Sequence, residues 1–579
     1  MTSPAASTLG TEGPARRDAP LLWKPAVFGV AAAFVALELA LSARYGFHRD
    51  ELYFLACSRH MAWGYVDQPP FVPAVAWLAT HLFGTSAPAL RVFPALAGGL
   101  TVVLSALMGR QLGGGKLAQL LAALAGATSP QVLAAFHLLS TASFDMMFWA
   151  AICYLVLRWM SSGDDRWWLA IGALSGVALL NKDNVLFLLF SLAAALLLGG
   201  RARDLVNPWL AAGIVAALVI WSPNIDWNAR HRWAAVSMMH SLHQENSSLG
   251  ASIGFIPSQL IVVGPLLIAL WWPGLRRLLR QPSVKPMGVA FLVAVALYTL
   301  GGAKPYYLAG FYFVLFAAGA VQAEQRATSR TDRASRADRA SRADRASRAD
   351  GGGRADGGGR ADGGGRVDRA DGVGRTYRAG RAGRADGGDR ADGAAPDPAR
   401  LPAPATRRWM AVMLVGLLVV LPLTEPVLPQ STLPSGAWES KINKDLSATV
   451  GWPDLVRQVA AVADTLPTQQ RADLVVFTGD YGAAGAVDLW GPRYGLPHAI
   501  SGQNNYWWWG PAGARDGATT IAVNLSRSYL LTIFTEVTSA GVVRTPGHVW
   551  TEERDEPIWV CRGQKVTWAA AWPAARHYD

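Results

Sequence analysis

The chain has 579 residues, of which 51% are hydrophobic and only 16% are charged, and its formal net charge is +12. A soluble chain usually has about a quarter charged residues, so this composition excludes an ordinary soluble protein and favours membrane spans. The positive charge does not indicate a nucleic-acid partner, because more than half of the excess lies in one Arg/Asp repeat between 322 and 408. Much of the rest lies in loops that flank apolar runs, as membrane topology requires.

Long apolar runs predict a polytopic α-helical membrane protein with about eleven spans. A polar tail, residues 1–20, precedes the first run, which is too long for a cleaved signal peptide. The runs cover approximately 21–43, 88–109, 117–139, 143–160, 167–180, 184–200, 208–223, 257–272, 287–302, 305–321 and 408–424. Arginine and lysine are concentrated in alternate short loops, which predicts a cytoplasmic N-terminus by the positive-inside rule. The remaining loops and the C-terminal region then face outside.

Residues 322–407 are near-repeats of Arg-Ala-Ser-Arg-Ala-Asp and Gly-Gly-Gly-Arg-Ala-Asp. This segment has few apolar residues to bury, so burial cannot offset the entropy lost on ordering. We therefore predict a disordered cytoplasmic insert between the membrane domain, residues 21–321, and a last transmembrane helix at 408–428.

Residues 429–579 predict an extracytoplasmic α/β domain. A short strand at 474–477 leads into a turn at 478–482 and a helix of small residues, and two more strands are expected near 519–524 and 557–561. The turn lacks the spacing of a Walker or dinucleotide-binding loop, so we interpret it as structural. The aromatic run 506–509 could stack on a sugar or belong to the core.

Ionisable residues lie at several span ends that face outside. The first outer loop contains Asp50 and Glu51, then Asp67 and a rigid Pro69-Pro70 turn. Further members at other outer span ends are His137, Asp145, Lys182, Asp183 and Lys304, the last beside Tyr306 and Tyr307. Ionisable groups in spans are costly and usually functional. Because all of these fall on one face of the topology, we expect them to converge on one site.

This mixture of residue types suggests a reaction. A carboxylate can act as a general base toward a hydroxyl, and cations can hold a phosphate. One base and a phosphate clamp suit inverting sugar transfer from a lipid phosphate, because the leaving phosphate needs no general acid. Inverting hydrolysis of a glycoside, in contrast, requires two carboxyl groups.

The stretch from Asp50-Glu51 to Asp67-Gln68-Pro-Pro resembles the first periplasmic loop of family 39 glycosyltransferases. These include the protein O-mannosyltransferases and the bacterial aminoarabinose transferases of lipid A, and they have the GT-C fold. Weaker resemblances lie at Asp145 and in segments 176–182 and 301–307, and in tail segments 479–485 and 501–507, which resemble actinobacterial members.

The resemblance implies a GT-C membrane domain, a polyprenyl-phosphate monosaccharide donor and Asp50 as the catalytic base. Glu51 would brace Asp50 or contact the acceptor. Asp67 takes the place of an acidic residue that precedes a lysine in the family, and here Gln68 replaces that lysine. The remaining candidates for substrate binding are Asp145, Arg49, Lys182, Lys304, Tyr306 and Tyr307. Of the cations among them, we expect Lys304, Arg49 and Lys182, in that order, to supply the missing phosphate contact.

We therefore expect a multi-pass plasma-membrane glycosyltransferase with its catalytic loops and C-terminal domain outside. Its partners would be the polyprenyl-phosphate sugar donor, membrane lipids and an extracytoplasmic acceptor, which could be a lipid, a cell-wall glycan or a protein. A transporter or lipid flippase is the alternative, although the sequence lacks the internal repeat typical of transporters. We expect no cofactor and no metal, because the spacing of His48 and His60 around Asp50 matches no zinc pattern.

Overall fold

The computed structural model describes residues 20–246, 249–351, 403–433 and 444–578. The predicted N-terminal tail, apart from Pro20, lies outside this range. So do residues 352–402 of the predicted insert.

The first part of the chain is helical throughout its apolar runs. Its helices are α1 Lys24–Leu41, α2 Arg49–Arg59, α3 Phe71–Phe83, α4 Ala87–Gln111, α5 Lys116–Ala127, α6 Pro130–Phe136, α7 Thr141–Ser162, α8 Trp167–Leu179, α9 Val185–Leu198, α10 Pro208–Arg230, α11 Ala234–Asn246, α12 Leu249–Val263, α13 Ile268–Arg280, α14 Lys285–Gly301, α15 Tyr312–Gly351 and α16 Ala403–Thr424. A 3₁₀ segment, Pro305–Phe311, leads into α15. Serine caps fix two of the starts, because the side chains of Ser86 and Ser140 accept the first-turn amides of α4 and α7.

Six of the helices in the described part of the chain are long and apolar enough to cross a membrane, and two bent pairs raise this number to at most eight. The pairs are α5 with α6, bent by 60°, and α12 with α13, bent by 92°. Three predicted spans, 167–180, 184–200 and 287–302, form helices of only 13, 14 and 17 residues. A span usually needs about 20 residues, so the predicted number of eleven exceeds the number that length and composition support.

The described part of the predicted insert is not disordered. Helix α15 continues without a break through residues 322–351. Alanine and arginine favour helix, and charges four residues apart support it, as in the ion pair of Arg342 with Asp338 at 2.9 Å. The prediction of disorder from residue 322 is therefore wrong as far as Gly351.

The C-terminal region is an α/β domain, as predicted. Its strands are β1 Val475–Thr478, β2 Ala499–Ser501, β3 Thr520–Val523, β4 Phe534–Val542 and β5 Pro557–Gln564. Its helices are α17 Lys444–Ser447, α18 Trp452–Asp464, α19 Thr468–Ala472, α20 Tyr481–Trp490, α21 Asn504–Trp509, α22 Arg527–Ile533 and α23 Trp568–Ala575.

The sheet has the order β2-β1-β3-β5-β4. Strands β2, β1 and β3 are parallel, whereas β5 is antiparallel to both β3 and β4. The sequence located β1, β3 and β5 but not β2 and β4. Strand β2 has only three residues, and six of the nine residues of β4 are exposed, so neither gives a clear apolar signal. The carboxyl edge of the parallel strands leads into α20 and α21, which position the site described next.

Candidate active site

Helix α2 begins in the loop that follows α1, and its start is fixed by reciprocal hydrogen bonds. The His48 ring Nδ1 accepts the amide of Asp50 at 3.1 Å, and the Glu51 carboxylate accepts the amide of His48 at 2.8 Å. This arrangement is a capping box, which satisfies amides that a helix start leaves unpaired. It fixes the direction in which the Asp50 side chain leaves the helix.

Glu51 forms a fully buried bidentate ion pair with Arg91 of α4. Arg91 Nε and Nη2 donate to the two Glu51 oxygens at 3.0 and 2.9 Å, and the two side chains are 1% and 0% exposed. The Leu139 amide adds a further bond to Glu51 at 3.1 Å. Both carboxylate oxygens of Glu51 therefore accept hydrogen bonds from other protein groups. Of the two roles expected for Glu51, its placement supports bracing and is incompatible with contact to an acceptor.

Asp50, in contrast, is 36% exposed and accepts a hydrogen bond from the Tyr481 hydroxyl at 2.8 Å. Burial is the largest single influence on the pKa of Asp50 and raises it, whereas the neighbouring His48 and Arg49 lower it. The Tyr481 hydrogen bond and the Lys304 charge lower it further, and the resulting pKa lies below its usual value. The Asp50 carboxylate is therefore ionised at neutral pH and open to solvent on one side.

Tyr481 is the first residue of α20, so the C-terminal domain completes the surroundings of Asp50. Two glycines allow α20 to approach α2 closely. A Cβ atom on Gly482 would lie 2.5 Å from Arg49 Cγ, and one on Gly485 would lie 2.9 Å from the Leu52 carbonyl oxygen. Burial and the adjacent Asp50 charge raise the pKa of Tyr481, so its hydroxyl stays protonated and remains a donor.

Asp67 contacts an aromatic side chain that packs against Tyr481. Its carboxylate accepts the Tyr53 hydroxyl at 2.7 Å, and the Tyr53 ring packs 4.8 Å from the Tyr481 ring. Burial raises the pKa of Asp67 to about 7, and the Asp50 charge contributes to the rise. The C-terminal domain also holds this loop, because Asn505 accepts the Val66 amide at 2.7 Å.

Gln68 is buried, at 4% exposed, yet neither polar atom of its amide has a hydrogen-bond partner in the described part of the chain. An unpaired buried polar group costs about 1–3 kcal/mol, so a native site usually provides a ligand for it. The amide both donates and accepts, which suits a hydroxyl or a phosphate oxygen, but it lacks the charge of the expected lysine.

A second group of predicted residues lies around Asn184. Its side-chain amide donates to Asp145 at 2.7 Å, and its oxygen accepts the Tyr298 hydroxyl at 2.6 Å. The Lys182 ammonium lies 4.4 Å from the centroid of the Tyr307 ring, a cation–π contact.

Tyr306 connects this group to Asp50. Its ring packs against Tyr307 at a centroid distance of 4.9 Å, and its hydroxyl lies within electrostatic reach of Asp50. Lys304, just before the 3₁₀ segment, is exposed and also acts on Asp50. Arg49 is already ion-paired with Glu552. Of the three expected phosphate contacts, Lys304 therefore has the least competition from protein carboxylates.

The structure thus brings most of the predicted residues to one end of the helical domain. It also adds residues that the sequence did not single out, namely Tyr53, Arg91, Tyr298, Tyr481 and Asn505. The sequence could have indicated Arg91, because an arginine inside an apolar run is unusual and often functional. Tyr481 lies in the tail segment 479–485 that resembles actinobacterial members, but no local pattern predicts its role, because that role depends on a contact between residues 431 positions apart.

Residues 67–227 match the family model for dolichyl-phosphate-mannose-protein mannosyltransferase, a match that covers less than half of the chain. The likeness to solved structures shows that the chain has the GT-C membrane fold that the sequence predicted, and the match over residues 67–227 supports a glycosyltransferase.

Two crystal structures of ArnT from Cupriavidus metallidurans are similar to this chain. The structure bound to undecaprenyl phosphate has a TM-score of 0.55 and 15% identity, with 93% of this chain and 98% of that chain covered. The apo structure has a TM-score of 0.53 and 16% identity, with 93% and 97% covered. A search of curated proteins finds no match.

Proposed function

We propose that the protein is an inverting glycosyltransferase that moves a monosaccharide from a polyprenyl-phosphate donor to an acceptor outside the plasma membrane. The observation that carries this proposal is the Asp50 carboxylate, which is ionised, partly exposed and surrounded by cations at one end of the helical domain. The undecaprenyl phosphate bound to the similar ArnT structure supports a lipid-phosphate donor.

In the proposed reaction Asp50 is the general base. Its carboxylate takes the proton of an acceptor hydroxyl as that oxygen attacks the anomeric carbon of the donor sugar. The bond between this carbon and the phosphate oxygen breaks on the opposite face, and the phosphate leaves as an anion. One ionised carboxylate is sufficient, because a phosphate leaves without being protonated.

We assign binding of the phosphate of the sugar donor to Lys304 and Lys182. The hydroxyls of Tyr306 and Tyr307 would donate further hydrogen bonds to this phosphate. Two observations support this assignment: Lys304 and Tyr306 interact electrostatically with Asp50, and the Lys182 ammonium lies 5.3 Å from the centroid of the Tyr306 ring. Charged hydrogen bonds of this kind contribute about 1.5–3 kcal/mol each. The unpaired amide of Gln68 is assigned to an uncharged contact with the donor.

The proposed topology places residues 44–87 and 429–579 outside the membrane and residues 322–407 inside it, with the last transmembrane helix at 408–428. The acceptor could be a lipid, a cell-wall glycan or a protein. The transporter alternative receives no support, because the matched family model describes a transferase.

Asp50→Asn tests the assignment of the base. We expect release of polyprenyl phosphate from a synthetic polyprenyl-phosphate sugar, with a cell-envelope extract as the source of acceptor, to fall by about 10²–10⁴-fold, the usual contribution of a general base. Donor binding should persist, because the cations remain.

Asp555→Asn is the matched control. Asp555 is 57% exposed and has a φ of 65°, a conformation that asparagine also tolerates. We expect this variant to turn over like the wild type. Near-normal turnover by Asp50→Asn would show that another group is the base.

A further inference from the structure

Three side chains that the proposed mechanism does not use meet in the interior of the helical domain. Glu38 lies near the end of α1, His137 directly follows α6, and Glu425 directly follows α16. The His137 Nδ1 atom lies 2.9 Å from Glu425 Oε2 and 3.3 Å from Glu38 Oε2. One potential ligand atom from each residue lies within 4.8 Å of the other two.

All three side chains are buried, with exposures of 2% or less. The nearest cation, Arg91, is already in a bidentate pair with Glu51. Arg91 therefore compensates these two buried carboxylates only in part, and their burial costs several kcal/mol if both are ionised. Oε1 of Glu38 and Oε1 of Glu425 also have no hydrogen-bond partner among the described residues. Unpaired, fully buried carboxylate oxygens indicate that something else neutralises this cluster.

We propose that Glu38, His137 and Glu425 bind one divalent transition-metal ion, with zinc or manganese as the best match to a ligand set of one imidazole and two carboxylates. Zinc bonds to such ligands are about 2.0–2.2 Å long, so neighbouring ligand atoms lie roughly 3–3.5 Å apart. The two measured separations, 2.9 and 3.3 Å, are close to this spacing. A charge of +2 neutralises both carboxylates.

The orientation of the His137 ring determines which of its nitrogen atoms can bind the ion. Its Nδ1 atom would bind the ion, so Nε2 would carry the ring proton. Arg91 Nη1 lies 3.4 Å from Nε2, but it donates more closely to the Ser42 carbonyl at 2.8 Å. Metal binding therefore removes only the longer of these two contacts and leaves the Glu51–Arg91 pair intact.

The ion would be structural. It joins the ends of α1, α6 and α16, which are far apart in the sequence, and it lies next to the arginine that braces α2. This proposal does not depend on the proposed function, and it replaces the expectation that the protein binds no metal.

The test measures metal in the full-length protein, purified in detergent without chelators, by elemental analysis. We expect about one equivalent of zinc or manganese in the wild type and less than a tenth of an equivalent in Glu38→Gln and Glu425→Gln. Glu536→Gln is the control, since Glu536 is 56% exposed and lies on β4. This variant should keep the metal.

A second measurement needs no variant. Removal of metal from the wild type with a chelator should lower the thermal unfolding midpoint, and zinc or manganese should restore it. The alternative is a shared proton, which glutamine mimics because it resembles a protonated carboxyl group. Wild-type protein without metal, an unfolding midpoint unaffected by chelator and glutamine variants as stable as the wild type would together overturn the proposal.

Discussion

Asp50 and Asp67 both lie between α1 and α3, but their pKa values shift in opposite directions. Cations and the Tyr481 hydroxyl hold the pKa of Asp50 below its usual value, whereas burial raises that of Asp67 to about 7. Two carboxyl groups with separated pKa values are typical of sites that use one of them as a base. The sequence indicated both residues, because acidic groups at span ends are costly. It could not indicate which one ionises, because that depends on neighbours such as Tyr481 and Tyr53.

The raised pKa of Asp67 predicts a pH-dependent stability. In the unfolded chain an aspartate has a pKa of about 3.9, whereas the pKa of Asp67 in the folded protein is about 7. Folding therefore favours the protonated form, and this contribution is fully present below pH of about 4 and is lost as the pH rises through about 7. We expect the unfolding midpoint of the wild type to fall over this range relative to that of Asp67→Asn, measured by tryptophan fluorescence in detergent.

The exposed Asp473 provides the control for this measurement, since its side chain is 46% exposed. Asp473→Asn should follow the wild type at every pH. Parallel curves for the wild type and Asp67→Asn would contradict the raised pKa.

Tyr481→Phe tests whether the C-terminal domain tunes the proposed base. Loss of a hydrogen bond to a charged group costs about 1.5–3 kcal/mol, so we expect the transfer rate to fall roughly tenfold or more. Because the bond lowers the pKa of Asp50, its loss should move the acid limb of the pH–rate profile to higher pH.

A purely structural role for Tyr481 would change the yield of folded protein without moving that limb. Tyr494→Phe, at a tyrosine that is 39% exposed, is the control and should leave the profile unchanged. An acid limb that stays in place in Tyr481→Phe would exclude the tuning role.

At the scale of elements, the contact between α2 and α20 explains why the site combines two domains. The sequence predicted a helix of small residues after β1, and the structure contains it as α20. The sequence alone did not show why these residues are small. Gly482 and Gly485 face α2 at distances that leave no room for a Cβ atom. Local patterns predict a helix and its exposed or buried face, but not which distant helix packs against it.

Gly482→Ala should therefore weaken this contact. The added Cβ would lie 2.5 Å from Arg49 Cγ and 2.7 Å from Trp452 Cη2, and overpacking of this kind costs about 1–3 kcal/mol. We expect a lower unfolding midpoint, faster limited proteolysis of the C-terminal domain and reduced transfer.

Gly254→Ala is the control for this substitution, because Gly254 is also helical and has no atom within 4 Å of the added Cβ. It should behave like the wild type. Equal stability and proteolysis in Gly482→Ala would mean that the two helices can separate without consequence.

At the scale of the whole molecule, composition indicated a membrane protein, and the strand and turn patterns of residues 429–579 indicated an α/β domain. The number of spans was harder to predict from the sequence, since α8, α9 and α14 are apolar but short. The insert was misjudged up to Gly351, because a charged repeat with few apolar residues can still form helix when its charges are spaced four residues apart.

Deletion of residues 326–400 should leave insertion and transfer largely intact. The segment has few core-forming residues, and in the proposed topology it lies on the opposite side of the membrane from Asp50. We expect the shortened protein to be expressed and to release polyprenyl phosphate at a rate within about twofold of the wild type. Loss of transfer at unchanged expression would assign the insert a role in catalysis.

The hydrogen bond from Tyr481 to Asp50 has a consequence for biosynthesis. The two residues are 431 positions apart, so the ribosome makes the donor long after it has made α2. A nascent chain that has inserted its first helices still lacks the Tyr481 hydroxyl beside its carboxylate. The order of synthesis thus delays completion of the site until α20 has packed onto α2, and a chain truncated before α20 would reach the membrane with that site unfinished.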